Sequence, residues 1–342
     1  MTQTVHRKIV LNAYPDGMPK PSDFRIEEGP IPEPGENEML IRTLYIGLEP
    51  RLRLMMNPTT DDNKDMRPHG AMTDIGKVMP GTILGVVVKS NNEKYKTGDV
   101  VEGFLGWQNY VVTTGEPHPT NNPEGVAICD MSLVNDPVHF IGPLGAPGLT
   151  AILALKHEGK LDQEESMVIT SAAGMVGSLV GQLALLCDAW VVGVTSTDEK
   201  CDYLTNELGF DVAINYKTTE DLGAAIKEAC PDGVDYFFDN TGGDIAEIIK
   251  KQLSPKGRVT RCGIIANYNK TGWKQSEQFA GQFSVHNHVD EYADARKTLA
   301  DLVKDEALQY ELKVFDGLDA APEAFIGLLG GKNIGKWVVK VS

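Results

Sequence analysis

The sequence predicts an α/β protein in which a doubly wound parallel sheet follows a β-rich domain. Three observations predict it. From about residue 130, short apolar runs alternate with amphipathic helical stretches, the rhythm of β-α-β units. Before that point the apolar runs are separated by connections rich in Pro and Gly, as in an all-β domain. Between the two styles stands M-V-I-T-S-A-A-G-M-V-G at 167–177, where an apolar run passes through a turn of small residues into a helix.

Taken in order, the β-rich part offers strands at 39–46, 82–89, 100–103 and 110–113. Turns fall at Pro30-Ile31-Pro32-Glu33-Pro34-Gly35, Pro80-Gly81 and Thr97-Gly98-Asp99, and the polar stretch 57–65 reads as an exposed loop. Pro147-Gly148-Leu149-Thr150 opens a helix that runs to Leu155. The strand at 167–169 follows, then a helix on which Val176, Leu179, Val180, Leu183 and Leu186 recur at helical spacing. Strand 190–194, helix 199–208 with Gly209 as its cap, and strand 213–215 come next. The series continues with helix 220–230, strand 234–239, helix 245–253 and strand 258–262. A long helix at about 290–304 precedes a Pro/Gly-punctuated stretch and a last strand at 337–341. That strand has no place in the series, and the N-terminal domain is a candidate partner for it. No fixed-period repeat is present.

Composition narrows the possible functions. With 342 residues the chain can form two domains and a well-buried core. Its 48 acids against 32 bases leave a net charge of -16, which argues against nucleic-acid or anionic-membrane partners. Cys129, Cys187, Cys201, Cys230 and Cys262 form no C-x-x-C pair and lie in apolar segments, as buried free thiols in a reducing compartment would. The N-terminus has no apolar signal region and no window approaches the length of a membrane span, so a cytoplasmic protein is expected.

A strand, a small-residue turn and a helix N-terminus form the geometry that receives a dinucleotide pyrophosphate, because free N–H groups and the helix dipole meet the phosphates. The usual spelling is G-x-G-x-x-G. Here Ser171 and Ala173 hold the first two positions, before Gly174 and Gly177. An ordinary strand–helix turn is the other reading. In an NAD site an acid ends the next strand, but Val194 is followed by Thr195, Ser196 and Thr197, then Asp198 and Lys200. Hydroxyls with a lysine suit a 2′-phosphate, and hence NADPH. Alternatively, Asp198 caps the helix and Lys200 is a solvated helix residue. Tyr216 falls where an adenosine contact belongs. Asn240 and residues 262–268 fall at the carboxyl ends of the fourth and fifth strands, on the nicotinamide side. An ordinary turn is the competing account of 240–243.

These residues carry a family resemblance. Gly145-Ala146-Pro147-Gly148-Leu149-Thr150-Ala151, Ala172-Ala173-Gly174-Met175-Val176-Gly177, Asp198-Glu199-Lys200, Asn215-Tyr216-Lys217, Asp239-Asn240-Thr241-Gly242-Gly243, Cys262-Gly263-Ile264-Ile265-Ala266-Asn267-Tyr268-Asn269 and Gly331-Lys332-Asn333-Ile334-Gly335-Lys336 stand in this order. The chain resembles the zinc-independent medium-chain dehydrogenase/reductases, in the branch of leukotriene/prostaglandin reductases, plant alkenal double-bond reductases and bacterial curcumin reductases. It has most in common with the bacterial curcumin-reductase type, with Ala324-Phe325-Ile326-Gly327-Leu328-Leu329 adding to the match.

The resemblance implies a Rossmann NADP-binding domain at 130–290 and a GroES-like catalytic domain from 1–129 and 291–342, with the active cleft between them. It implies NADPH-dependent reduction of the C=C bond of an enone or alkenal, possible substrates including curcumin and dihydrocurcumin, by a homodimer. Tyr268 would sit at the substrate carbonyl as donor. The alternative is a Tyr that only packs on the nicotinamide. Ala173, Gly174, Met175, Val176, Gly177, Thr195, Ser196, Lys200, Tyr216, Asn240, Cys262, Gly263, Ile264, Tyr268, Phe283, Val285 and Asn333 would hold the cofactor. Phe283 and Val285 also read as a plain sixth strand. Tyr45 and Arg51 would line the substrate pocket.

Two departures bear on chemistry. Relatives carry Asp-Pro-Tyr-Met-Arg where this chain has Glu49-Pro50-Arg51-Leu52-Arg53. An inward Arg51 would favour substrates with negative charge or extra acceptors, and an outward one would only remove an aromatic wall. A zinc enzyme would need Gly-His-Glu where Pro80-Gly81-Thr82 stands, and no cysteine precedes Cys129 for a structural four-cysteine lobe. No metal is therefore expected. His286 and His288 form an H-x-H near Asp290 and Glu291 and read as loop residues, with a metal site as the competing reading; His69 and His118 also read as loop residues. A quinone oxidoreductase and a non-catalytic NADPH-binding redox sensor remain as alternatives on this scaffold.

Overall fold

The computed structural model describes residues 5–61, 72–117, 125–270 and 281–342. His69, His118 and residues 62–65 of the polar loop lie outside them, and 58–61 are exposed.

The parallel half is built from β8 (Ser166–Thr170), β9 (Trp190–Thr195), β10 (Val212–Asn215), β11 (Val234–Asp239) and β12 (Leu253–Arg261), all parallel, in the order β10-β9-β8-β11-β12. The inner strands β8, β9 and β11 are mostly apolar on both faces because helices cover both, whereas the edge strand β12 is largely polar. Met167, Ile169, Val191, Tyr236 and Phe238 pack with α2 (Ala146–Ala154), α3 (Met175–Leu185) and α7 (Tyr292–Lys304) through Leu149, Leu153, Leu179, Leu183 and Leu299. Val168, Val192, Val194, Ile214 and Phe237 pack on the other side with α5 (Leu222–Ala229) and α6 (Gly243–Lys250) through Ile226, Ala246 and Ile249. The strand order reverses at β8, so the carboxyl ends of β8 and β11 flank the crevice where such sheets take ligands.

The β-rich half is a seven-stranded sheet. β3 (Met39–Gly47), β4 (Thr82–Ser90), β5 (Val100–Phe104) and β7 (Ala127–Ile128) run antiparallel, with β6 (Tyr110–Thr113) also on β3. The final strand β14 (Lys336–Lys340) pairs with β3, Val339 opposite Ile46, and carries β13 (Leu312–Asp316) parallel beside it. A hairpin of β1 (His6–Leu11) and β2 (Phe24–Gly29) stands apart and is bridged to the sheet at Lys8–Gln108. Its Phe24 stacks on the buried Trp107, which meets Phe325 of α8 (Ala321–Leu329) edge-on.

Several local expectations are revised. The hairpin strands went unread because β2, F-R-I-E-E-G, is largely polar. β13 and α8 fill the stretch read only as punctuated. Residues 283–285 form no sixth strand. Phe283 N–H reaches Arg261 O at 2.8 Å, and the chain then turns into a 3-10 segment, Val285–Glu291. The helix opening at 198 is split, α4 (Asp198–Asp202) widening into a π-type turn at Tyr203–Glu207, with Gly209 beyond it in the left-handed region expected of a cap. All five cysteines are free, but Cys187 is exposed and only Cys129 and Cys230 are fully buried. α7, which begins just past 290, packs on α2. No helix among the described residues is long and apolar enough to cross a membrane.

Candidate active site

The cradle forms at the end of β8. Ser171 takes a left-handed conformation, Gly174 N–H closes the turn on Ser171 O at 3.0 Å, and Gly174 is the N-cap of α3. No side chain caps that helix, so the first N–H groups, at Met175, Val176 and Gly177, have no intrahelical acceptor and face outward. Ala172 and Ala173 are buried beneath. A Cβ at Gly177 would lie 2.7 Å from Ser171 O, so the third glycine is fixed by helix–strand approach. Asn333 closes the other side. Gly335 N–H bonds Ala173 O at 2.8 Å, and the Asn333 amide, held on Gly335 O at 3.2 Å, comes to the edge of Gly174.

Along the sheet, Thr195, Ser196, Lys200 and Tyr216 gather at the ends of β9 and β10, where Tyr216 N–H bonds Thr195 O at 3.0 Å. Thr197, rather than Asp198, caps α4, since its side chain accepts from Lys200 N–H. Asp198 instead receives Asn215 Nδ2 at 2.6 Å. Lys200 is no solvated helix residue. It is 7% exposed, its ammonium bonds Gly331 O at 2.7 Å, and burial together with the like charge of Lys217 lowers its pKa. The two lysine charges reinforce one another and make this end of the sheet locally positive. Lys217 was missed as a site residue, although it ends the motif Asn215-Tyr216-Lys217.

At the switch point, Asn240 is pinned by two bonds to Thr170: its N–H to Oγ1 at 2.9 Å and its Nδ2 to the backbone O at 2.8 Å. The buried Asp239 carboxylate holds the Thr241 and Gly242 N–H groups at 2.9 and 2.8 Å. Cys262 and Gly263 donate backbone bonds to Asp239 O, and a Cβ at Gly263 would meet Asn240 O at 2.7 Å. Burial pushes the Cys262 thiol up to about 12, so it stays protonated. The chain then makes a short 3-10 turn that presents Tyr268. Phe283 and Val285 bury their side chains in the large core shared with α2 and α3, Phe283 stacked on His288.

Tyr268 is 6% exposed and packs with Ile264 and Leu54. Burial raises its pKa strongly and Cys262 adds to this, while an Ile264 backbone hydrogen bond and the Arg51 charge offset only part. The phenol therefore keeps its O–H throughout the physiological range. Leu54 belongs to α1 (Leu52–Met55), whose Arg53 is buried and, among the described residues, makes its hydrogen bonds to carbonyl and amide oxygens. Arg53 donates to Gly17 O, Asn57 Oδ1 and Asn269 Oδ1 at 2.9, 2.7 and 3.1 Å, so it ties α1 to the loop that carries Tyr268.

Arg51, the N-cap residue of α1, does turn inward at its base. Its Nε donates to Glu49 Oε2 at 2.6 Å and its guanidinium lies 4.7 Å over the Phe104 ring. Glu49 also accepts from Thr82 Oγ1 at 2.6 Å, in the stretch where a zinc enzyme has its ligand motif. Burial would raise the Glu49 pKa, but Arg51, Lys336 and Thr82 outweigh it and hold it at about 2. Lys336 is buried, with its ammonium on Leu48 O at 3.1 Å. Glu49 and Lys336 were not read as site residues, since nothing in a sequence marks a charge as buried. Tyr45 packs against the large shared core rather than the 264–268 loop. His288, read as a loop residue, joins His157 and Glu291 in a cluster of potential ligands, His157 Nε2 lying 2.6 Å from Glu291 Oε1. Lys156 pairs with the same carboxylate.

A switch-point cradle facing a β-rich sheet across a buried tyrosine is the architecture of the medium-chain dehydrogenase/reductases. Residues 7–119 match the family described as the N-terminal domain of oxidoreductase, and residues 176–305 match the one described as zinc-binding dehydrogenase. The NADPH-dependent curcumin reductase of Escherichia coli is 33% identical over 98% of this chain and 97% of its own. Prostaglandin reductase 1 of Bos taurus is 34% identical over 98% and 99%. The crystal structure of CurA from Vibrio vulnificus in complex with NADPH superposes with a TM-score of 0.85 at 30% identity, covering 98% of this chain and 99% of that one. The chain belongs to the zinc-independent medium-chain dehydrogenase/reductase family of oxidoreductases, in its prostaglandin- and alkenal-reductase branch.

Proposed function

We propose that this protein reduces the C=C bond of α,β-unsaturated ketones and aldehydes with NADPH. The observation that carries the reading is the buried, protonated Tyr268 phenol, held at the carboxyl end of the sheet by α1 and beside the switch point. The residues present fit the cofactor. An uncapped α3 N-terminus receives the pyrophosphate, Lys200 and Lys217 the 2′-phosphate, Thr195, Ser196 and Tyr216 the adenosine, and Asn240, the 262–264 backbone, Phe283, Val285 and Asn333 the remainder. NADPH supplies the hydride that reaches the β-carbon. As it arrives, negative charge builds on the carbonyl oxygen, and a pre-placed O–H donor at Tyr268 stabilises that enolate. The raised pKa keeps Tyr268 protonated and so able to donate, and a proton that exchanges with solvent completes the reaction at the α-carbon. On the same family resemblance the protein works as a cytoplasmic homodimer.

The test follows NADPH oxidation with an alkenal, an aryl enone such as a curcuminoid, and a quinone, each repeated with NADH. The reading expects turnover of the first two and preference for NADPH. Turnover of the quinone alone, or tight NADPH binding with no turnover, would replace it with a quinone reductase or a sensor.

A further inference from the structure

The charges around Arg51 do not balance. Glu49 spends both oxygens inside the cluster, one on Thr82 and one on Arg51 Nε. The buried Lys336 ammonium stands beside the same carboxylate. The next acid, Glu102, which also acts on Lys336, is engaged by Arg296 at 2.7 Å. Two cations, the partly exposed Arg51 and the buried Lys336, therefore flank the Glu49 carboxylate, and a further anion beside Arg51 would be favoured.

Arg51 is the member able to receive it. Its Nε is used and its face rests on Phe104, which fixes the guanidinium plane. Its terminal nitrogens have no acceptor among the described residues, and the side chain is 33% exposed. The Arg51 charge is felt at the Tyr268 phenol, and the helix that Arg51 opens packs on the Tyr268 loop through Leu54. A guanidinium edge left open beside the carbonyl donor is suited to a carboxylate, which it grips with two parallel bonds.

We propose that Arg51 makes the cleft selective for α,β-unsaturated carbonyl compounds that carry a carboxylate elsewhere on the chain. This rests on the reductase reading and adds the charge of the substrate to it. The chemistry is unchanged: one hydride and one proton add across the C=C bond, NADPH becomes NADP, and the carboxylate is a handle that takes no part.

The test compares alk-3-en-2-ones ending in a carboxylate with their methyl esters, over a short series of chain lengths, on the wild type, Arg51→Met and Arg51→Lys. The readout is the ratio of kcat/KM for acid over ester. The wild type is expected to favour the acid by about tenfold or more at the best chain length, as one charge-assisted contact would give. Arg51→Met should bring the ratio toward one, and Arg51→Lys should keep part of it. If Arg51→Met does not fold, the double variant Glu49→Gln/Arg51→Met removes the buried pair together. A ratio near one in the wild type, or an equal ratio in Arg51→Met, overturns the proposal. Should no enone turn over, the reductase reading fails by itself, and titration of the saturated keto acid and its ester into NADP-loaded protein decides the rest. Arg51-dependent preference for the acid sustains the proposal, and equal binding or none overturns it.

Discussion

At the residue scale the account rests on charge and protonation, which kinetics and pH can read. Tyr268→Phe keeps the ring and removes the donor. kcat/KM on enones should fall about 100-fold, the usual effect of losing one donor to a developing oxyanion, while NADPH affinity holds. Unchanged kcat/KM would remove the assignment. Lys200→Met should cut the preference for NADPH over NADH about tenfold, one charge-assisted contact, read as the ratio of KM values. Glu49 links the pocket to stability. Its pKa is about 2 in the folded state against 4.5 for the free group, so the unfolded chain takes the proton first as pH falls. Its stabilisation is complete above pH 4.5 and is lost between 4.5 and 2. Glu49→Gln should flatten the fall of Tm across that window relative to wild type, and parallel curves would contradict the assignment.

At the element scale, α1 is one helical turn that orders the site. Arg53→Met leaves the acceptors at Gly17, Asn57 and Asn269 without their donor. The expected cost is about 2 kcal/mol, read as a fall in Tm on the order of 5 °C, with kcat lowered because Tyr268 is no longer held. An unchanged kcat would show that α1 does not position the tyrosine. The parallel strands were legible because apolar runs with helices between them leave few alternatives, and the Ala172-Ala173-Gly174 turn because close approach demands small side chains. The β1–β2 hairpin was not legible, since its second strand is polar and its pairing is decided by the distant Trp107 and Gln108. Residues 283–285 have strand composition, but only Phe283 finds a backbone partner on β12. Lys200 could be read as either phosphate ligand or surface lysine, and Gly331, far along the chain, settles that it is buried.

At the scale of the whole molecule, the 331–336 segment joins the two halves. Gly335 bonds Ala173 in the cradle, Gly331 accepts from Lys200, and Lys336 reaches back to Leu48 beside the pocket. Ends of the chain that the sequence leaves unconnected thus meet between the α3 N-terminus and the Glu49–Arg51 pair. The central claim is that this protein directs reduction to the C=C bond and spares the carbonyl. The most direct measurement is NMR of the product formed from an enone with deuterium at the transferred position of NADPH. The account predicts a saturated ketone with deuterium at the β-carbon and a solvent-derived proton at the α-carbon. An allylic alcohol with deuterium on the carbonyl carbon would contradict it.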